Sequence, residues 1–220
     1  DYSLPMFIQE DPPKHDQQRR VVTPLFMPKS LAELEPLIRE RAGNILDNLP
    51  RNEEFDWVRY VSVELTAQML ATLFDVPQED RLKLIEWSDT IQNLADPEQF
   101  ENPDEGFTVL MECLTYFQEY YEARKKEPAK FDLISMLAHD PATNNMSPQE
   151  LLGNIMLLIV GGNDTTRNSI SGGVLALNQN PEQYEKLLQN PAVIKTMVPE
   201  IVRWQTPVAH MARTAMQDTE

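Results

Sequence analysis

At 220 residues and 41% hydrophobic content, the chain is long enough to bury a core of its own and too apolar for a disordered tail. A formal net charge of −16 argues against a nucleic-acid partner, because binding phosphate by counterion release needs a positive surface. No run of about 18 apolar residues is present, so no transmembrane segment is expected; the opening DYSLPMFIQEDPPKH lacks the basic-then-apolar order of a signal peptide, and a cytoplasmic location is the expectation.

The single cysteine, Cys113, excludes an internal disulfide and a cysteine-rich zinc site. Both ends read as cut. The chain opens on Asp1 without an initiator methionine and stops at MQDTE, so 1–220 is expected to be one incomplete domain.

The basic residues gather early. Between Lys14 and Arg41 six Lys/Arg face four Asp/Glu, leaving that stretch at +2 and the remainder at −18. Such an island suits a small anion or an acidic partner, and solvated helix faces with no role explain it equally well. Within it, prolines precede a helix start in DPPKHDQQRR, and His15 and Arg19, four apart, share a face from which both can donate to one anion.

Ser30 and Glu33 form a capping box leading into Leu34, Leu37, Ile38, Ile45 and Leu46. Further helices are expected near 57–74, 78–94 and 131–139, and Phe107, Leu110, Leu114, Phe117 and Tyr121 recur at the steps of one helix face. SPQE, Ser147 to Glu150, is a second capping box with proline at the first helical position. Apolar residues then continue to Leu177, predicting a helix over Pro148 to Asn178 of about 47 Å, long enough to cross a domain.

Asn180-Pro181 and Asn190-Pro191 each pair an N-cap with a proline at the first helical position. Strand-like alternation appears only at HMARTAMQD, so the chain is mainly α with few strands.

The long helix contains LLIVGGNDTTRNS. Each glycine costs a helix about 0.8–1 kcal/mol relative to alanine, yet Gly161 and Gly162 also remove side chains from the surface, so that something flat and bulky can approach the backbone. Asp164 and Thr165 follow, a carboxylate and a hydroxyl suited to delivering protons into an apolar cavity. The alternative is a loop joining two shorter helices, with Asp and Thr as caps. Further on, Glu200 and Arg203 in EIVR share a helix face and can pair. Arg213 lies in the extended segment that follows.

Taken in order, DPPKHDQQRR, the capped helix with GGNDTT, EIVR and TPVAHMARTA resemble the cytochrome P-450 haem-thiolate monooxygenases of the bacterial soluble type. LLIVGGNDTTRNSISGGVLALNQNPE, VPEIVRWQTPVAHMARTA, EPLIRERAGNILDNLP and EFDWV are similar to the medium-chain alkane and fatty-acid terminal hydroxylases of that superfamily. The resemblance implies a partial P-450 fold with the long helix at its centre. His15, Arg19 and Arg213 would bind the propionates of haem b, with Leu157, Val160 and Gly161 over its plane.

By the same resemblance, Gly161 and Gly162 would open an oxygen groove, Asp164 with Thr165 would relay protons, and Glu200 with Arg203 would form a buried structural ion pair. O2 is the implied co-substrate, and NADH would supply electrons through a ferredoxin reductase and a ferredoxin. The axial cysteine of the family lies beyond Glu220, so no metal ligand is expected within the chain and the segment alone is expected to be inactive. Cys113, between Met111 and Leu114 on an amphipathic stretch, reads as a packing residue.

Apolar residues available to line a pocket are Leu4, Met6, Phe7, Ile8, Ile91, Leu94, Leu158 and Ile159. Being mostly aliphatic, they suit a hydrocarbon chain, although each also suits a core. The leading expectation is hydroxylation of the terminal carbon of a medium-chain n-alkane or fatty acid. The alternatives are a haem monooxygenase for another apolar substrate, a terpene or steroid, and a non-catalytic helical module. An all-α diphosphate enzyme is disfavoured, since no aspartate-rich D-D-x-x-D cluster is present and Arg167 stands where a serine is needed.

Overall fold

The computed structural model describes residues 4–94 and 103–215, and every regular element among them is helical. The chain divides into two compact units, one ending at Asn163 and the other beginning at Asp164, with the longest helix running through both.

The first unit contains α1 (Lys14–Val22), α2 (Pro28–Asp47), α3 (Glu64–Phe74), α4 (Arg81–Asn93), α5 (Pro103–Arg124), α6 (Leu133–His139) and the leading part of α7 (Pro148–Gln179). A π-helical stretch, Val58–Val63, runs directly into α3. The expected stripe of α5 forms the core through Leu110, Leu114, Phe117 and Tyr121, while Phe107 stays 46% exposed. The ring of Phe117 lies 5.5 Å from Phe74 of α3 and 5.6 Å from Trp87 of α4, so three helices meet on one aromatic cluster. Asp132 caps α6, its Oδ1 accepting from the Ser135 amide at 2.7 Å, and burial pushes its carboxyl above the ordinary range.

The start of α7 is the predicted capping box. The Glu150 amide donates to Ser147 Oγ at 3.2 Å, and the Ser147 amide donates to the Glu150 carboxylate at 3.0 Å. From there the helix continues unbroken through Gly161 and Gly162 to Gln179, which overturns the reading of two short helices joined by a loop. Two glycines cost about 2 kcal/mol of propensity, less than burying Ile155, Met156 and Ile159 on the same helix returns, at roughly 1.5–3 kcal/mol each.

Two expectations need correction. Helix α2 begins at Pro28, ahead of the expected box, because Pro28 fits the first helical position; Ser30 does not cap but donates to the Pro24 carbonyl at 2.8 Å. Of the expected extended segment HMARTAMQD, residues 210–215 form no strand, and 216–218 lie outside the described residues. A ladder needs a second extended segment, and the surrounding elements are helices.

The second unit holds the rest of α7, α8 (Pro181–Gln189), a 3₁₀ turn (Pro191–Val193) and α9 (Ile194–Gln205). Pro181 opens α8, and Asn190 Oδ1 accepts from the Ala192 amide at 3.2 Å. Helix α9 lies close against the glycines of α7: a Cβ on Gly173 would stand 2.9 Å from Ile201 Cδ1, and one on Gly172 would stand 2.1 Å from Gln205 Oε1. Among the described residues no helix is long and apolar enough to cross a membrane.

Candidate active-site face

Successive residues of an α-helix turn by about 100°, so Leu157, Val160, Gly161, Asp164 and Thr165 fall on one side of α7. The opposite side carries Leu152, Ile155, Met156, Ile159 and Asn163, none more than 4% exposed. On the first side Leu157, Val160, Asp164 and Thr165 are only partly buried and Gly161 is exposed. A Cβ built on Gly161 would meet nothing within 4 Å. An apolar stripe with one position free of a side chain, ending in an acid and an alcohol, fits a flat apolar prosthetic group such as haem.

Gly162 parts from its neighbour. Turned away from Gly161, it faces α3, where a Cβ would stand 2.9 Å from Leu70 Cδ2. Its smallness serves the close packing of α7 on α3.

Asp164 is paired through Oδ1 with Nη2 of Arg167, one turn along, and the two side chains are 23% and 18% exposed. The i, i+3 spacing of Asp and Arg is the signal that could have found this partner. The Thr165 carbonyl accepts from Ser169 Oγ at 2.7 Å.

His15 and Arg19 lie on one face of α1. The His15 ring contacts Asp16 Oδ1 through Nδ1 at 2.8 Å, and Arg19 is exposed. Of the basic island, Lys14 is already engaged, bridging Glu10 at 2.7 Å and Glu150 at 2.8 Å, which fastens α1 to the start of α7. Arg213, in the second unit, is exposed and donates to the adjacent Ala212 carbonyl.

Glu200 and Arg203 pair through two bonds of 2.7 Å, and this contact holds the carboxyl below its ordinary range. Their side chains are 57% and 66% exposed, so the burial implied by the resemblance is absent among the described residues. Glu200 lies at the rim of a groove of about 690 Å³ lined by Leu177, Leu187, Met197 and Trp204, and no described residue covers the pair.

The expected pocket lining separates into two sets. Leu4, Phe7 and Ile159 are core residues, at most 9% exposed; Met6, Ile91, Leu94 and Leu158 are partly buried, and Ile8 is exposed. The first set is buried because the segment around Phe7 is strapped to α7. The Phe7 amide donates to Asn154 Oδ1 at 2.7 Å, and a Cβ on Gly153 would stand 2.0 Å from the Pro5 carbonyl oxygen. Sequence reasoning passed over Gly153 and Asn154, whose only signal is a glycine inside an apolar helical run.

Cys113 is fully buried with Sγ 3.6 Å from Met156 Sδ, and burial pushes its thiol well above the usual range, the opposite of what a thiolate ligand needs. Among the described residues no group of three or more His, Cys, Asp or Glu is placed to hold a metal ion.

The family model for cytochrome P450 matches residues 6–220, and the chain belongs to that family. A solved structure, cytochrome P450-153 from Novosphingobium aromaticivorans, is 48% identical with a TM-score of 0.90, covering 99% of this chain and 52% of that one. Linalool 8-monooxygenase of Pseudomonas putida is 39% identical over 97% of this chain and 53% of its own length. A steroid C26-monooxygenase of Rhodococcus jostii is 38% identical over 98% of this chain and 45% of its own length. The chain thus spans about half the length of the curated relatives it matches.

Proposed function

We propose that the whole protein is a haem monooxygenase that hydroxylates the terminal carbon of a medium-chain n-alkane or fatty acid, with this chain supplying the distal helix and part of the cofactor's anchorage. The observation that carries this reading is the open side of α7, where Gly161 leaves free space beside Leu157 and Val160 and directly precedes the acid–alcohol turn. When bound, haem b supplies the activation of O2, with electrons from NADH arriving through a ferredoxin reductase and a ferredoxin.

The chain's own residues have three tasks. His15 and Arg19, and Arg213 from the second unit, hold the propionates by charge-assisted hydrogen bonds. Leu157 and Val160 pack on the ring and exclude water. Asp164 takes a proton from solvent at its carboxylate, exchanging Arg167 for that proton, and Thr165 Oγ1 donates one toward the open face. Arg167, paired with the carboxylate one turn along the helix, orients it between turnovers.

The aliphatic character of Met6, Ile91, Leu94 and Leu158, none of which can grip a charged ligand, supports a hydrocarbon chain. A second reading, a terpene or steroid substrate, is favoured by the names of the two monooxygenases above. Electron delivery is assigned to the early basic stretch, where Arg20, Lys29 and Arg39 are exposed on an otherwise acidic chain.

The test is reconstitution of the full-length, haem-loaded protein with ferredoxin, reductase and NADH on n-octane, decanoic acid, linalool and a sterol side-chain substrate. Terminal alcohols from the first two, in preference to products from the others, are expected. Turnover of the terpene or sterol alone selects the second reading, and absence of haem uptake overturns both. Reversing the charge of Arg20, Lys29 and Arg39 together is expected to slow reduction and to flatten its salt dependence; an unchanged rate removes this surface as the docking site.

A further inference from the structure

Asn163 is a fully buried amide in the middle of α7, outside the open stripe. It bonds to both helices packed against it. Thr66 Oγ1 of α3 donates to Asn163 Oδ1 at 3.1 Å, and Asn163 Nδ2 donates to Ser88 Oγ of α4 at 3.2 Å. Thr66 and Ser88 are themselves 3% and 0% exposed. Ser88 is steadied in turn by Gln92, whose Nε2 donates to its carbonyl at 3.2 Å and to its hydroxyl at 3.3 Å.

The rest of the buried side of α7 near this point is apolar, through Ile155, Met156 and Ile159. The hydrophobic effect is non-directional, whereas a hydrogen bond fixes both distance and direction. Asp164 is the next residue, about 1.5 Å along the axis and 100° round it. We infer that Asn163, held by Thr66 and Ser88, is a positioning residue that sets the height and rotation at which α7 presents Asp164 and Thr165. The inference rests on the proposed proton-delivery role of that pair.

The two arms differ. Thr66 has one hydroxyl proton for three acceptors, Asn163 Oδ1 and the carbonyls of Ser62 at 3.0 Å and Val63 at 3.1 Å, so its link to Asn163 competes with its own helix. Ser88 Oγ has two lone pairs and so accepts from both the Asn163 amide and Gln92 Nε2. The α4 arm therefore carries more of the constraint.

The test compares Ser88→Ala and Thr66→Val, both close to the native shape, with Ser88→Thr, which restores a hydroxyl. In the full-length protein, amide exchange over 162–166 is expected to quicken by about threefold or more in Ser88→Ala, less in Thr66→Val, and to return toward wild type in Ser88→Thr. In the haem-loaded full-length protein, misplaced proton delivery diverts the two electrons of NADH and two protons to O2, releasing hydrogen peroxide. Peroxide formed per NADH is expected to rise by about tenfold in Ser88→Ala while the substrate-induced change in haem absorbance titrates at an unchanged concentration. Exchange that does not change overturns the inference. So does faster exchange with unaltered peroxide release, which would make the network a structural brace alone. A wild-type protein that takes up no haem overturns the functional reading instead, and is recognised from its absorbance before any variant is compared.

Discussion

The two sides of α7 between Leu152 and Thr165 are built from similar residues and are treated in opposite ways. One side is packed until nothing of Ile155, Met156, Ile159 or Asn163 remains accessible; the other leaves Leu157 and Val160 half-covered and Gly161 bare. The difference teaches that hydrophobicity does not decide which side is core. Neighbours decide it. The packed side meets α3, α4 and the segment around Phe7, and its apolar residues contribute stability, whereas the open side meets no such neighbour at Gly161 and ends in an acid and an alcohol.

The contrast is broken or sharpened most forcefully by truncation. Ile159→Ala is expected to cost about 2–5 kcal/mol, and Leu157→Ala, half-covered, about 1 kcal/mol. Equal losses in chemical denaturation would mean that the open side is core after all. The glycines give the next test. Gly153→Ala forces a methyl onto the Pro5 carbonyl and is expected to cost about 1–3 kcal/mol. Gly161→Ala meets open space and is expected to gain up to about 1 kcal/mol of helix propensity, while weakening haem uptake by the full-length protein. Thermal melts of both variants, and a haem titration of the second, check the opposite signs.

Smaller effects follow from titration. Bonds from Lys14 hold the Glu150 carboxyl below its ordinary 4.5, so this contribution is present above that value and is lost as pH falls through the lowered one. Glu150→Gln is expected to flatten the acid limb of the stability curve by less than about 1 kcal/mol. Asp132 runs the other way. Burial raises it from 3.8, so its contribution is present below that value and is lost as pH rises through the raised one; Asp132→Asn, which keeps the cap, is expected to remove that decline. Smallest of all is Glu200→Gln, whose exposed pair is expected to leave the melting temperature of this chain unchanged.

Much of the architecture was legible because helices announce their ends. Ser147, Pro148 and Glu150 fixed the start of α7 through local cap chemistry, and Asn190 caps the turn before α9; Pro181 opens α8, but Asn180 does not cap it, its amide donating back to the Ala176 carbonyl at 2.8 Å. The start of α2 was misread because Ser30 fits a capping box in the sequence, while Pro28 had already supplied the first helical position. Within the candidate site, the acid–alcohol pair and the bare Gly161 were visible from residue type. The roles of Gly162, Gly153, Asn154 and Asn163 were not, because each depends on a contact with a distant segment: Leu70, Pro5, Phe7, or Thr66 and Ser88. Periodicity tells how a helix is striped. It does not tell what stands opposite each stripe.

The close approach of Gly162 to Leu70 makes these two positions a single steric unit. A methyl added to α7 at 162 would stand 2.9 Å from the tip of the Leu70 side chain, so either that tip turns aside or a smaller residue at 70 makes room. Directed variation of α7 at this point therefore gains from varying position 70 of α3 alongside it.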